Sequence, residues 1–344
     1  NALGKLSDAD AMADLDAASL DDVKSWFRQH YGPNNAVLVL AGDIDVPTAR
    51  ALVEKRFGNF PAGPKQMPVA ATIPTLDVAK AEVMKDQVAT TRLYRWWVVP
   101  GLNNPDTVPL SVGMAVLGGL SSSRLDNALV RDEKIAVGVT ANVQTFAQMS
   151  IAEITADVSP AADVALVGRR LDEQLAELMA KGPNADEVQR VATRAVSGKI
   201  AGLESVGGFG GKAVALAEGA LYSNDPDYYR KEMADYARAT PATVRAAMQK
   251  WLSRPVYALT VEPGERVAYE DATPVDPPSA PEEAAVLDPA KLPPVGSFSR
   301  LTFPAIERAR LANGIEVYFA RRAAVPNVHV NVSFDAGYSA DPKN

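Results

Sequence analysis

The feature that most constrains the fold of this chain is a proline-rich connector towards its end. Seven prolines lie between Gly264 and Ser297, mixed with an excess of acidic residues. Proline fixes one backbone angle and lacks an N–H donor, so a segment of this composition is expected to be stiff, extended and solvated. We therefore predict that it links separately folded parts of the 344-residue chain.

The composition is that of a globular protein with a substantial core. Apolar residues make up 47% and charged residues 22% of the chain, which are ordinary shares for folded domains. The net charge is −7 and the basic residues are scattered, so we expect no nucleic-acid partner. No apolar run approaches the roughly 20 residues of a membrane span, and residues 1–10 carry no targeting signal. The chain does not begin with Met, which we interpret as a start inside a longer precursor or after processing.

Histidine and cysteine are scarce. The chain has no Cys and only two His, His30 and His329. A catalytic zinc usually needs two or three imidazoles, often on one helix face, so we predict that this chain binds no metal. The absence of Cys excludes thiolate nucleophiles and disulfides. It also suits an oxidising compartment, so we expect a periplasmic or secreted location, although a cytoplasmic one fits as well.

The first 60 residues predict a helix, a strand and a second helix. The first helix follows Ser19, and residues 46–57 form the second. Between them, Ala36–Ala41 is a continuous apolar run, which is typical of a strand covered on both faces. Residues 58–79 are rich in Pro and Gly and are interpreted as a linker. The first helix carries one apolar stripe, formed by Leu20, Val23, Trp26 and Phe27.

Residues 80–263 predict a mixed unit of strands and helices. A strand is expected over 92–99, paired strands over 137–146 and 150–158, and a closing strand over 256–261. The helices are predicted over 106–117, 122–133, 161–181 and 185–203, with further helices up to Leu252. The fold class is therefore α+β.

Beyond the connector, residues 309–319 predict a hairpin that turns at Asn313-Gly314. Residues 328–334 are interpreted as another strand. Two strands without a covering helix are marginal alone, so we expect them to open a further domain.

Two motifs could carry chemistry. The glycine-rich stretch 204–213 resembles a phosphate loop but has Val206 and Ala213 where Gly and Ser or Thr are needed. We interpret it as a helix-initiating loop, and a nucleotide-dependent enzyme remains a remote alternative. Arg124 and Arg131 lie seven residues apart on one predicted helix, so both can offer bidentate donors to a carboxylate or a peptide carbonyl. An ordinary salt-bridged helix face is the simpler alternative.

Three ordered blocks together resemble the M16 metallopeptidases, the pitrilysin/insulinase group. The first block runs from Asp14–Ala18 through Val23 and Phe27 to Tyr31–Asp43. The second is Gly118–Leu125 with Leu129–Glu133, and the third is Leu311–Val317 with Phe334–Gly337. The resemblance implies the M16 metallohydrolase fold, an α+β fold of antiparallel-rich sheets covered by helices, duplicated into tandem repeats that form a hinged shell. It also implies a zinc site on an inverted His-x-x-Glu-His motif, whose Glu is the general base. We expect that motif before Asn1.

The resemblance also suggests domain boundaries. These are the end of a first M16 domain (1–60), a linker (61–79), a second M16 domain (80–263), the connector (264–297) and the opening strands of a second repeat (298–344). The family holds substrate with an Arg and a Tyr seven residues apart. Arg131 matches the Arg, but Gly138 stands at the Tyr position and Ile135 replaces a Gly of the same loop. This favours the zinc-bearing half of the shell, with Arg131 and Arg124 as candidate substrate contacts.

The resemblance implies that the parent protein is a zinc endopeptidase that encloses and hydrolyses peptides or unfolded proteins. This chain would form chamber wall and be inactive alone. Its partners would be peptide substrate and the rest of the precursor, or a second M16 subunit. The alternative is a non-catalytic M16-like subunit that binds peptide or scaffolds a catalytic partner.

Overall fold

The computed structural model describes residues 15, 17–65, 72–265, 303–321 and 328–334. These belong to two compact units, one that includes residues 20–265 and 328–334 and one that includes 303–321. Most of the predicted connector and residues 335–337 of the last sequence block lie outside the described residues.

The two helices predicted near the start of the chain are confirmed as α1 (Leu20–His30) and α2 (Val46–Phe57). Asp45 caps α2, because its carboxylate accepts the backbone N–H of Thr48 at 2.8 Å. A short 3₁₀ turn (Pro33–Asn35) follows α1. The Asn34 side chain accepts the Gly63 N–H at 2.7 Å and donates to the Gly63 carbonyl at 3.0 Å.

The strand predicted over Ala36–Ala41 is wrong for the described part of the chain. These residues are not paired to another strand, and Val37, Leu38 and Leu40 are all exposed. The helices α1 and α2 bury none of their side chains either. An apolar run predicts burial, but burial as a strand requires neighbouring strands, and the described residues do not supply them.

Residues 80–263 form a five-stranded mixed sheet, which confirms the α+β class. In spatial order the strands are β1 (Lys80–Asp86), β5 (Tyr257–Pro263), β2 (Arg92–Pro100), β4 (Met149–Val158) and β3 (Ala136–Gln144). The β1–β5 pair is parallel and the other pairs are antiparallel. The four predicted strands are present, whereas β1 was not predicted.

Helices cover one face of this sheet. They are α3 (Thr107–Met114), two π-helices (π1, Ala115–Gly119; π2, Asp126–Asp132), α4 (Val164–Lys181), α5 (Ala185–Gly202), α6 (Lys212–Ser223), α7 (Tyr228–Arg238) and α8 (Pro241–Leu252). In β4 every second residue is buried, as expected for a strand with one covered face. The core lies between this face and the helices, and its fully buried members include Val99, Leu110, Leu117, Leu129, Ile154, Leu171 and Met248.

Local signals define the helix ends. Asn184 and Glu187 form a reciprocal capping box at the start of α5, with both hydrogen bonds at 2.8 Å. Thr240 caps α8, in which Pro241 is the first residue. Gly182 separates α4 from α5 at a φ of 75°, a conformation that favours glycine. The helix predicted over 122–133 is mostly the wider π2, because the backbone N–H of Glu133 bonds to the carbonyl of Ala128, five residues back.

The second unit contains the predicted hairpin. Its strands are β6 (Ile306–Arg310) and β7 (Glu316–Ala320), which pair antiparallel. Gly314 adopts a φ of 92° in the turn, where only glycine is unstrained. The strand predicted over 328–334 is not found, since the described residues there are exposed and unpaired with any strand.

Candidate functional site

The two histidines do not form a metal site with described residues. The ring of His30 packs against the Trp26 ring with centroids 4.1 Å apart. Nε2 of His329 lies 4.0 Å from a carboxylate oxygen of Glu204. No group of three or more His, Cys, Asp or Glu side chains able to hold a metal occurs among the described residues. These residues therefore do not fit a catalytic zinc.

Arg124 is held in a bidentate ion pair. Its Nε and Nη2 donate to the two carboxylate oxygens of Glu187, both at 2.9 Å, and Nη2 also reaches the Gly182 carbonyl at 3.2 Å. Burial opposes ionisation of Glu187, but its hydrogen bonds from Arg124 and from the Asn184 backbone outweigh this and lower its pKa. The Arg124–Glu187 ion pair therefore links the residues just before π2 to the first turn of α5.

Arg131 is held more loosely. Its Nε donates to Asp126 at 2.7 Å and its Nη2 to the Ser121 carbonyl at 2.7 Å. The side chain is 58% exposed, compared with 23% for Arg124. The two arginines predicted as substrate contacts thus have separate carboxylate partners. Their role in substrate binding stays a prediction.

Gly138 lies at a β-bulge in β3 and pairs with Asp157, on the sheet face opposite the described helices, called here the helix-free face. Among the described residues, a Cβ built there would contact only a carboxylate oxygen of Asp157, at 3.9 Å. A Cβ therefore fits at this position among the described residues.

We predict that Gly138→Tyr folds and raises the free energy of unfolding by about 0.5–1 kcal/mol, because glycine weakens a strand interior. Urea unfolding followed by circular dichroism measures this change. The matched control is Gly101→Ala, whose Cβ would lie 2.4 Å from the backbone of Gln148 and should lower stability. A loss of stability in Gly138→Tyr would contradict an open site.

The helix-free face of the sheet carries an aromatic ladder formed by Tyr94, Trp96 and Tyr257. The rings of Trp96 and Tyr257 stack across neighbouring strands, with centroids 5.7 Å apart and an interplanar angle of 6°. The rings of Tyr94 and Trp96 lie 4.8 Å apart. This ladder was not predicted from the sequence. The sequence feature that indicates it is the period-two alternation in β2. This alternation puts Tyr94 and Trp96 on one face of the sheet and the buried Leu93 and Trp97 on the other.

Hydrogen bonds fix the polar atoms of the ladder. The Trp96 Nε1–H donates to Glu153 at 2.6 Å, and the Tyr257 hydroxyl donates to Glu82, which also pairs with Lys80. The bond to Glu82 and burial raise the pKa of Tyr257 to about 12, so the phenol stays protonated at neutral pH. The rings of Trp96 and Tyr257 are therefore held in fixed orientations.

A cavity of about 570 Å³ adjoins the ladder. One wall is formed by Trp96, Trp97 and Val98 of β2, and Ile151 and Glu153 of β4 form another. The remaining lining residues are Pro74, Thr75, Leu76, Gln144, Arg254, Pro255 and Tyr257. Its volume lies within the range of small-molecule pockets in proteins.

The glycine-rich loop lies between α5 and α6, as predicted, and does not follow a strand as a phosphate loop does. Its ends are joined by the bond from the Lys212 N–H to the Ser205 carbonyl at 2.8 Å. This arrangement agrees with a helix-initiating loop.

Among the described residues there is no helix with the length and hydropathy of a membrane span.

Comparisons with solved structures agree on the fold. A protease from Helicobacter pylori has a TM-score of 0.65 at 20% identity, covering 73% of this chain and 61% of the other. A peptidase M16 inactive domain from Pseudomonas fluorescens has a TM-score of 0.61 at 20% identity, covering 73% of this chain and 58% of the other. At this level of identity the likeness concerns the fold alone.

Sequence comparisons identify the family. An uncharacterized zinc protease of Streptomyces coelicolor is 25% identical over 265 residues, which make up 74% of this chain and 55% of that protein. The chain thus spans only a little over half the length of this relative. Residues 17–194, more than half of the 344, match the family described as the peptidase M16 inactive domain. The chain therefore belongs to the M16 peptidase inactive-domain family.

Proposed function

We propose that this chain is part of a zinc-dependent endopeptidase that encloses peptides or unfolded proteins, and that it forms chamber wall without the zinc site. The observation that carries the proposal is the sheet itself. Helices cover one face, while the other presents the aromatic ladder and a cavity. Such a face suits contact with a polypeptide, because aromatic rings bury much apolar area at little entropic cost.

The zinc ligands would come from another part of the same precursor or from a second M16 subunit. The name of the Streptomyces relative supports a zinc-dependent parent. Tandem repeats and the domain boundaries suggested above belong to the same proposal. A periplasmic or secreted location is proposed on the absence of Cys.

A non-catalytic M16-like subunit is the second candidate. Gly138 in place of the expected Tyr favours it, as does membership of an inactive-domain family. Such a subunit would bind peptide or support a catalytic partner.

We predict that the purified chain cleaves no peptide, and that adding a metal chelator does not change the measured rate of peptide cleavage. The whole protein, by contrast, should contain about one zinc per catalytic half, since a catalytic site holds one metal with three protein ligands. Metal analysis and peptide turnover measure both. If the whole protein contained no zinc and cleaved no peptide, the result would support the second candidate, a non-catalytic subunit. Chelator-sensitive cleavage by the chain alone would contradict the proposed role.

A further inference from the structure

The turn of the β6–β7 hairpin contains Asn313 followed by Gly314, a dipeptide that occurs once in the chain. Asparagine is a thermolabile residue, because the backbone nitrogen of the next residue can attack its side-chain amide carbon. A following glycine hinders this attack least, since it has no Cβ. Both residues are exposed, so water reaches the side-chain amide. The turn therefore places a reactive amide directly beside its nucleophile.

Three hydrogen bonds define the geometry of this turn. The Gly314 N–H donates to the Leu311 carbonyl and the Leu311 N–H to the Ile315 carbonyl, both at 2.9 Å. The Ile315 N–H donates to Oδ1 of Asn313 at 3.2 Å. This last bond places a donor at the oxygen that becomes negative when the amide carbon is attacked. The amide carbon is thus activated, whereas the Gly314 nitrogen is released only when its bond to Leu311 opens.

Opening of the turn should cost little free energy. The strands β6 and β7 have five residues each, and of these ten side chains only that of Val317 is partly buried. A two-stranded hairpin is at best marginally stable in water. Segments with few buried contacts open locally at little cost. The hydrogen bond that protects the Gly314 nitrogen should therefore break frequently.

We propose that Asn313 is a site of spontaneous deamidation, and that the isoaspartate formed there breaks the β6–β7 turn. The Gly314 nitrogen bonds to the amide carbon of Asn313 and passes its proton to the side-chain nitrogen, which leaves as ammonia. The succinimide ring that results takes up one water molecule. It opens at either of its two carbonyls and gives aspartate or isoaspartate.

The two products have different effects on the hairpin. In isoaspartate the backbone runs through the former side chain and is one methylene longer. The length of a turn sets the pairing register of its hairpin, so the pairs between Ile306–Arg310 and Glu316–Ala320 should be lost. Aspartate keeps the ordinary backbone, and its added charge lies near Arg310, whose Nε donates to the Gly314 carbonyl at 3.3 Å. We expect the hairpin to persist with aspartate.

The test is timed incubation of the full chain at neutral pH. Peptide mapping by mass spectrometry follows the exchange of NH₂ for OH at Asn313, and an isoaspartyl methyltransferase with a labelled methyl donor detects isoaspartate. The conversion should be faster at higher pH, because the attacking nitrogen must lose its proton. We expect the rate to lie within about tenfold of the rate for the chain unfolded in urea, as a marginal hairpin implies.

Asn224 is a control within the same sample. It is also exposed and has a left-handed backbone, with a φ of 53°. The residue after it is Asp225, whose side chain hinders the attack and whose N–H donates to the Gly219 carbonyl at 3.0 Å. We expect no isoaspartate at Asn224 over the time in which half of Asn313 is converted.

Two variants separate the chemistry from its structural effect. Asn313→Gln removes the route through a five-membered ring and should abolish the methyl labelling. Freshly prepared Asn313→Asp carries the aspartate product from the start and should retain amide protection of β6 and β7 in hydrogen exchange. The isoaspartate form, separated by chromatography, should lose that protection.

Three results would overturn the proposal. The first is an unchanged Asn313 peptide after the time in which the unfolded chain is converted. The second is equal conversion at Asn313 and Asn224, and the third is a protected hairpin in the isoaspartate form. None of these measurements involves zinc, peptide binding or cleavage, so their outcome is independent of the proposed function.

Discussion

Gly118→Ala is expected to lower the free energy of unfolding by about 2–3 kcal/mol, within the usual cost of overpacking a core. Gly118 lies in π1, which is pressed against β3. A Cβ at this position would lie 2.7 Å from the backbone N of Ala141, 2.8 Å from its Cβ and 3.0 Å from the Thr140 carbonyl carbon. Because two of these atoms are backbone, no side-chain rotation relieves the contact, and π1 must move away from the sheet. Urea unfolding followed by tryptophan fluorescence measures the loss.

The control is Gly198→Ala, in the exposed interior of α5. A Cβ there meets no atom of the described part of the chain within 4 Å, and alanine is the better helix former by about 1 kcal/mol. We therefore expect this variant to be more stable than the parent chain. Equal effects of the two substitutions would show that π1 does not pack on β3 as closely as described.

Arg124→Met is expected to cost about 2–3 kcal/mol, less than the loss of a fully buried ion pair. The side chains of Arg124 and Glu187 are 23% and 18% exposed. Water therefore partly solvates the Glu187 carboxylate that the substitution leaves unpaired. Thermal and urea unfolding measure the loss. Adding Glu187→Gln should recover part of it, since that change removes the uncompensated charge.

The pH dependence of this variant follows from Glu187. Its pKa is lowered from the ordinary 4.5 in the folded protein. The stabilisation is therefore present above that value and is lost as the pH falls through the lowered folded pKa. The difference in stability between the parent chain and Arg124→Met should accordingly shrink as the pH falls below the ordinary 4.5 and through the lowered pKa of Glu187.

Arg131→Met, seven residues further along the chain, is the matched control. Its pair with Asp126 involves a side chain that is 58% exposed, so we expect a loss of at most about 1 kcal/mol. If Arg131→Met cost as much as Arg124→Met, burial would not explain the difference between the two arginines. Either variant that left stability intact but weakened peptide binding would support the predicted substrate contact.

The helices were largely predictable because their signals are local. Asp45, Thr240 with Pro241, and Gly182 act on backbone groups within a few residues, and the structure uses each of them. The strand β1 was missed because its residues, Lys80–Asp86, are mostly charged and exposed at the sheet edge. Its assignment depends on pairing with β5, some 170 residues further along the chain.

The candidate site was predictable only in part. The spacing of Arg124 and Arg131 is visible in the sequence, but the partner of Arg124 lies 63 residues away, so the ion pair is not. The ladder joins residues of β2 to Tyr257 by sheet order alone. Alternation in β2 indicated which side chains share a face, but not that the second aromatic strand lies next to it.

The unpaired run Ala36–Ala41 has a consequence for handling the protein. Six apolar residues without charge or proline, open along their backbone in the described part of the chain, match the composition of segments that nucleate cross-β aggregation. The chain on its own should therefore lose colloidal stability as its concentration rises. Replacing Leu38 by Lys, a gatekeeper charge at the centre of the run, should delay turbidity and thioflavin fluorescence.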